Sequence, residues 1–370
     1  MRTQRDPLRS KEGCVLELAS VSAKPAKTLF EEADVSDAGI EAGSGDGGAV
    51  AAGGVDSTMW TGLLHTGLVG SFLRLPHVTP DAEALRAHGA RAAIYGLPFD
   101  ATNISRTGAN YGPRGIREVS CQFTTYNATL DFDLVQALSP VDCGDCAIAL
   151  ANPQRTFARA QADLGAILDS GALPVTLGGD HSITIPAVRA VRERVRDPGL
   201  VLIDTHLDTA VDVGGEELNH CCPITRAVDA GFDPRKIALV GISGWMNPRT
   251  ELAYCREHGI TVIWLEDLWE KGTGKVVGEA LAVAGAGDGV YLSFDIDSLD
   301  AAHAPGTCCP TPGGLTTREA IELVRGLARP GLVGVDVVET APSLDATPAT
   351  ALIAGRVALE AMAFHAGAGS

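Results

Sequence analysis

From Arg91 onward, short apolar runs alternate with longer amphipathic stretches. The runs are Ala92–Leu97, Leu173–Leu177, Leu200–Ile203, Ile237–Ile242, Ile260–Leu265, Val290–Phe294 and Leu332–Val338. Continuous apolar runs of this length suit strands buried on both faces, as in parallel sheets. Helical spacing falls between them, at Thr156–Leu168, Ile183–Val195, Pro248–His258 and Thr317–Leu327. Strand-helix alternation predicts an α/β fold, a three-layer α/β/α arrangement with a mostly parallel central sheet. Residues 1–57 break the pattern. Gly39–Val55 is mostly Gly, Ala, Ser and Asp and carries too little apolar surface to order itself. The expected organisation is a flexible N-terminal extension over 1–57 and one domain over 58–370.

Composition narrows the field. Hydrophobic residues make up 45% of the 370, ample for a core, and 29 Lys plus Arg stand against 46 Asp plus Glu, a net charge of −17. That balance argues against a nucleic-acid or anionic membrane surface and would tolerate a cationic small molecule. No apolar run reaches the roughly 18 residues a membrane span needs. Met1–Asp6 is not followed by an apolar leader segment, and nine cysteines, an odd number, suit reduced thiols in a cytoplasm.

The polar residues that end the strands carry the chemistry. Asp204-Thr205-His206-Leu207-Asp208 follows the run ending at Ile203, and Asp295-Ile296-Asp297 follows Phe294. In an extended strand, residues two apart share a face, so Asp204, His206 and Asp208 are expected to point one way, and Asp295 and Asp297 likewise. Gly178-Gly179-Asp180-His181-Ser182 adds a second imidazole after Leu177. The carboxyl edge of an open α/β sheet is where ligands bind. So many carboxylates gathered there require cations, and the economical reading is a two-metal site. Two other motifs lack the right setting. Gly43–Gly48 matches a dinucleotide-binding pattern but follows no strand, and Cys143-Gly144-Asp145-Cys146 has neither the second pair of a zinc site nor a thioredoxin-like unit around it.

These three strand-end elements resemble the signatures of the ureohydrolase superfamily, the arginases, agmatinases and related guanidino-compound hydrolases. The resemblance spans about Gly67 to Val357 and includes Ser105–Arg114, a loop that borders the substrate entrance in the family, and Trp60–Pro76, a segment near the site mouth or a subunit contact. It implies that His181, Asp204, His206, Asp208, Asp295 and Asp297 hold two divalent ions, Mn2+ or Ni2+. Asp204 and Asp295 would bridge, and a metal-bridging hydroxide would cleave a guanidino C–N bond. Glu339, ending the last apolar run, matches the carboxylate that pairs with the guanidinium. His220 matches a proton shuttle or substrate contact, and Asp208 is the expected first proton acceptor. A trimer or hexamer is implied, in some members with a related second subunit.

Departures from the family pattern bear on the substrate. Cys221-Cys222 and Cys308-Cys309 stand where Gly-Thr is usual, and Ser243 where arginine is common. Small, soft side chains at Cys221 and Cys222 would repack a substrate pocket. The expectation is a compact substrate, guanidine or a biguanide such as metformin. An agmatinase or guanidinobutyrase releasing urea is the alternative, and a regulatory subunit of a mixed oligomer the reading from another class.

Overall fold

The computed structural model describes residues 70–328 and 331–369. The extension expected over 1–57 lies outside the described residues, as does 60–69 of the arm before Pro76.

Ten strands are described: β1 Ala92–Leu97, β2 Tyr126–Asn127, β3 Phe132–Asp133, β4 Val141–Asp145, β5 Leu173–Gly178, β6 Gly199–Ile203, β7 Ile237–Ile242, β8 Thr261–Trp264, β9 Val290–Asp295 and β10 Leu332–Val338. Eight form one sheet in the order β4-β1-β5-β10-β9-β6-β7-β8, every pairing parallel, while β2 and β3 make a small antiparallel hairpin. The described helices are α1 Ala82–His88, α2 Gly112–Ser120, α3 Leu134–Leu138, α4 Pro153–Ser170, α5 Thr184–Arg194, α6 Pro223–Ala230, α7 Arg249–His258, α8 Leu265–Lys271, α9 Thr273–Ala284, α10 Thr317–Leu327 and α11 Ala349–His365. None is long and apolar enough to cross a membrane.

The strand pleat divides the core in two, as the three-layer expectation requires. Val201, Ile203, Leu292 and Phe294 face one side with Leu323 of α10 and Val357 of α11. Leu200, Leu202 and Tyr291 face the other with Leu164 of α4 and Val188 of α5. Successive strand residues alternate between faces, so apolar runs buried on both sides are what this sheet demands. One strand of the eight-stranded sheet escapes the apolar-run criterion, as do both strands of the hairpin. β4 is an edge strand whose Asp142 interrupts it, and that buried carboxylate takes two hydrogen bonds from Arg117 (Nε 2.8 Å, Nη2 2.9 Å) and one from Phe72 N–H (2.7 Å). Cys143 and Cys146 are buried and free there, with packing roles. Phe72, Leu73 and Leu75, at the end of the expected N-terminal arm, are also buried, and Leu73 N–H donates to Ser120 Oγ on α2 at 2.8 Å.

Chain order places β9 and β10, last in sequence, between β5 and β6. The four strands β5, β10, β9 and β6 are therefore neighbours, and their carboxyl ends deliver His181, Glu339, Asp295 and Asp204 to one edge. Glu339 N–H donates to Gly179 O at 2.8 Å, tying the ends of β10 and β5 together. Gly179 also lets the loop after β1 pack against the end of β5, because a Cβ there would stand 1.8 Å from Phe99 O.

Candidate metal and guanidinium site

The strand-end acids converge by turns rather than by pleat alternation. β6 stops at Ile203 and β9 at Asp295, so the shared-face expectation for 204, 206 and 208, and for 295 and 297, gives way to a different device. Asp204 Oδ1 accepts His206 N–H at 2.6 Å, Asp295 Oδ1 accepts Asp297 N–H at 2.7 Å, and Asp180 Oδ1 accepts Ser182 N–H at 3.1 Å. Each is an Asx turn, in which a short carboxylate caps the amide two residues on and folds the chain back. The second carboxylate oxygen of Asp204 is left facing the centre.

All six residues expected to hold metal meet there. His181 Nδ1 lies 3.2, 2.9 and 3.0 Å from Oδ2 of Asp204, Asp208 and Asp295. His206 Nδ1 lies 3.4 Å from Asp204 Oδ1 and 3.2 Å from Asp297 Oδ2. Two sets of donor atoms lie within 4.8 Å of one another, His181-Asp204-Asp208 and Asp204-His206-Asp297, so Asp204 is common to both. Asp295 falls in neither set and approaches the first through its contact with His181.

Fit to cations is tested by the hydrogen bonds. Ser293 Oγ donates to Asp336 Oδ1 at 2.6 Å and so accepts from His181 Nε2–H at 3.0 Å. That leaves a lone pair on His181 Nδ1, directed at carboxylates. His181 Nδ1, Asp204 Oδ2 and Asp297 Oδ1 are buried without any hydrogen-bond partner. A lone pair against buried anions is repulsive unless a cation lies between them. Oxygen and imidazole donors make a set suited to divalent first-row metals.

Electrostatics without a cation show the same conflict. Burial, then Asp297 and Asp204, push the Asp295 carboxyl well above its ordinary range, and burial lifts Asp297 to about 7. Burial alone would lower the His181 imidazole, but the nearby carboxylates of Asp204, Asp208 and Asp295 outweigh it and push the pKa well above the usual value.

Glu339 closes the site from β10. Its Oε1 accepts His181 N–H at 2.8 Å and lies 3.1 Å from His220 Nδ1, and its Oε2 accepts Asn103 Nδ2–H at 3.3 Å. Burial would raise its pKa, but His220 and the His181 amide more than offset this and leave it below the ordinary value. Ile104 N–H donates to His220 Nε2 at 3.2 Å, which makes Nδ1 the protonated nitrogen. Burial works to lower the His220 pKa, while Cys221 and Glu339 raise it to about 12. The Ile104 amide acts against that rise by requiring a lone pair on Nε2. Asp208 and Glu339 both have left-handed backbones, φ 49° and 61°.

A cavity of about 250 Å³ lies over the cluster. His206, Asp208, Asp295 and Asp297 form its floor and Glu339 and His220 one wall. Ile104, Cys221, Met246, Pro248 and Cys309 supply most of the remaining, largely apolar surface. Of the expected substrate-contacting residues, Cys222 is not in this wall: it is fully buried at the start of α6, and Cys309, on the loop before α10, is there instead. Four participants went unforeseen. Ser293 and Asp336 are polar residues on central strands, and such interruptions of apolar runs are the signal that marks them. Asn103 and Glu251 carry no comparable signal, since a loop amide and a first-turn helix acid are ordinary.

An eight-stranded parallel sheet of this order, with this His-Asp cluster at its carboxyl edge, defines an arginase-like α/β scaffold with a candidate divalent-metal centre. The chain belongs to the Arginase family, whose model matches residues 90–364. It is 38% identical to a mitochondrial agmatinase of Gallus gallus over 291 residues, 78% of this chain and 84% of that protein. It is 35% identical to a guanidinobutyrase of Pseudomonas aeruginosa over 295 residues, covering 80% and 91%. Among solved structures, proclavaminate amidino hydrolase from Streptomyces clavuligerus superposes with a TM-score of 0.74 at 30% identity, covering 82% of this chain and 98% of that one. The chain is thus a ureohydrolase acting on C–N bonds of small guanidino compounds.

Proposed function

We propose that this chain hydrolyses a compact guanidino compound, guanidine itself or an alkylated biguanide such as metformin. Two divalent cations, Mn2+ or Ni2+, would be held by His181, Asp204, His206, Asp208, Asp295 and Asp297. The observation that carries the reading is the small cavity with Glu339 in its wall and the acid-imidazole cluster as its floor. When bound, such cations lower the pKa of water and supply a nucleophile near neutral pH.

The chain's own residues do the rest. Glu339, kept ionised, receives the guanidinium and fixes its plane. Oε1 already accepts from the His181 amide and His220 Nδ1, so a guanidinium reaches Glu339 chiefly through Oε2, where the Asn103 contact, longest at 3.3 Å, would yield to it. His220 orients Glu339 through Nδ1. It delivers a proton to the leaving nitrogen only when Nε2 exchanges the Ile104 amide for solvent or substrate. Asp208, buried in the floor, is a carboxylate that would accept the proton released by the attacking water.

A second reading has its own observation. A wider cavity of about 700 Å³ adjoins the first and leaves length for the four-carbon tail of agmatine. Mass spectrometry of products decides, using protein reconstituted separately with Mn2+ and Ni2+ and a pool of guanidine, metformin, agmatine, arginine and 4-guanidinobutyrate. Ammonia with urea from guanidine, or dimethylamine with guanylurea from metformin, supports the compact-substrate reading. Putrescine with urea moves the assignment to agmatine, and turnover of 4-guanidinobutyrate alone overturns both. Silence with both metals removes the proposal for this chain acting without a partner.

A further inference from the structure

Glu251, in the first turn of α7, sits where the two cavities meet. It shares that neck with Ile104 and Cys221, the other residues common to both linings. Its Oε2 accepts Thr209 N–H at 3.0 Å, and Thr209 Oγ1 donates back to Glu251 O at 3.2 Å, so the carboxylate is held in one place. Its Oε1 accepts no hydrogen bond from the described residues and is left for whatever occupies the neck. Glu339 stands in the inner cavity and Glu251 at its exit, giving one carboxyl acceptor at each end of an otherwise mainly apolar passage. Among the described residues, no Lys or Arg lines either cavity, and the outer one adds Asp212 and Glu257.

We propose that Glu251 is the specificity-determining residue of this site, accepting a second protonated or N–H-rich nitrogen of the substrate while excluding a carboxylate tail. This deepens the reading above and rests on it: Glu339 takes the guanidinium that is cleaved and Glu251 the group beyond. Two sources present that chemistry, the second amidine of a biguanide, directly attached, and the distal ammonium of agmatine. A carboxylate placed at the neck meets Glu251 with no Lys or Arg of either lining to pair with, an arrangement that rejects it by unpaired, desolvated charge.

The test compares wild type with Glu251→Gln and Glu251→Lys. Glutamine keeps an oxygen for the Thr209 amide, and metal content and thermal unfolding are measured alongside. kcat and KM are determined for metformin, agmatine, 4-guanidinobutyrate and tail-less guanidine. The expected result is a ratio of kcat/KM for the preferred tailed cation over guanidine that falls at least tenfold in Glu251→Gln, mainly through KM, with metals retained. Glu251→Lys should shift preference at least tenfold towards 4-guanidinobutyrate. A loss confined to metformin assigns the second amidine, and one confined to agmatine the ammonium. An unchanged ratio in both variants overturns the role of Glu251 and leaves the ureohydrolase reading standing. A wild type that prefers 4-guanidinobutyrate, or prefers guanidine to every tailed cation, overturns the proposal before any variant is made.

Discussion

His181 and Ser293 are coupled: the imidazole Nε2–H donates to the serine oxygen at 3.0 Å, because the serine proton is committed to Asp336. A buried carboxylate thereby sets the tautomer of a histidine through one hydroxyl. Asp336 is itself satisfied by Tyr291 OH at 2.6 Å and Thr184 Oγ1 at 2.8 Å, so the relay is anchored on both neighbouring elements. Histidines that hold metals are commonly fixed by such outer partners.

Removing the relay should loosen the centre without unfolding the protein. Ser293→Ala is expected to weaken metal binding about 10- to 100-fold, the usual cost of losing an outer hydrogen-bond partner. Metal titration followed by calorimetry reads this directly. Affinity equal to wild type would show that His181 needs no orienting partner.

Deleting a floor residue should go further. His206→Ala and Asp297→Ala are each expected to abolish activity and bound metal while preserving the circular-dichroism spectrum. Chelation of the wild type should lower its unfolding midpoint, since a ligand bound only by the native state stabilises by about 3–4 kcal/mol at 100- to 1,000-fold excess over Kd. Full activity in either variant would sink the metal-centre assignment.

Glu339→Gln tests guanidinium pairing separately from metal. The amide retains shape but loses charge and one acceptor, so kcat/KM should fall about 10- to 100-fold, as expected for a hydrogen bond to a charged group. Metal content should not change. A parallel loss of metal would mean that Glu339 supports the centre rather than the substrate.

The neighbouring cysteines should behave differently. Cys221→Ala opens a cavity wall and is expected to alter KM with little effect on stability. Cys222→Ala removes a fully buried sulfur and should cost about 1 kcal/mol of stability, with kinetics close to wild type. Denaturant midpoints and Michaelis constants for the two variants, measured together, separate wall from core.

Far from the site, Glu360 of α11 supplies a pH-dependent test of the fold. It is 2% exposed, accepts Arg325 Nε and Nη2 at 2.9 Å each and Arg356 Nε at 2.7 Å. Burial raises its pKa, but the two guanidiniums outweigh that and hold it below the ordinary glutamate value. A depressed folded-state pKa means the native protein binds fewer protons than the unfolded chain as pH falls. The stabilisation is therefore complete above the unfolded value and disappears as pH drops through the folded one. Glu360→Gln should be about 1–3 kcal/mol less stable than wild type at pH 7, and the gap should close in acid. A gap that is independent of pH would contradict the ion-pair account.

Much of this was readable from residue order. Seven of the strands announce themselves because a parallel sheet covered on both faces has no polar side, and the Asp and His residues that end β5, β6 and β9 are conspicuous after such runs. What could not be read depends on local turns and distant packing. The Asx turns at Asp204 and Asp295 replace the strand alternation that residue spacing suggested. β4 hides because a carboxylate it buries is balanced by Arg117, a partner 25 residues away in sequence. Which cysteine of the 221–222 pair faces the cavity is decided by the start of α6, and Glu251 matters only because a helix after β7 brings it to the neck.

The left-handed backbones at Asp208 and Glu339 have a consequence for anyone who would improve this protein. Each non-glycine residue held in that region costs about 1–2 kcal/mol. Glycine at Glu339 would relieve the backbone but strand the His181 amide, His220 Nδ1 and Asn103, whereas glycine at Asp208 should make the metal-free chain more heat-resistant and inert. Selection for robustness alone would therefore erode a position on which turnover depends. In a library screened only for folding and without metal, the loss of Asp208 should register as gain.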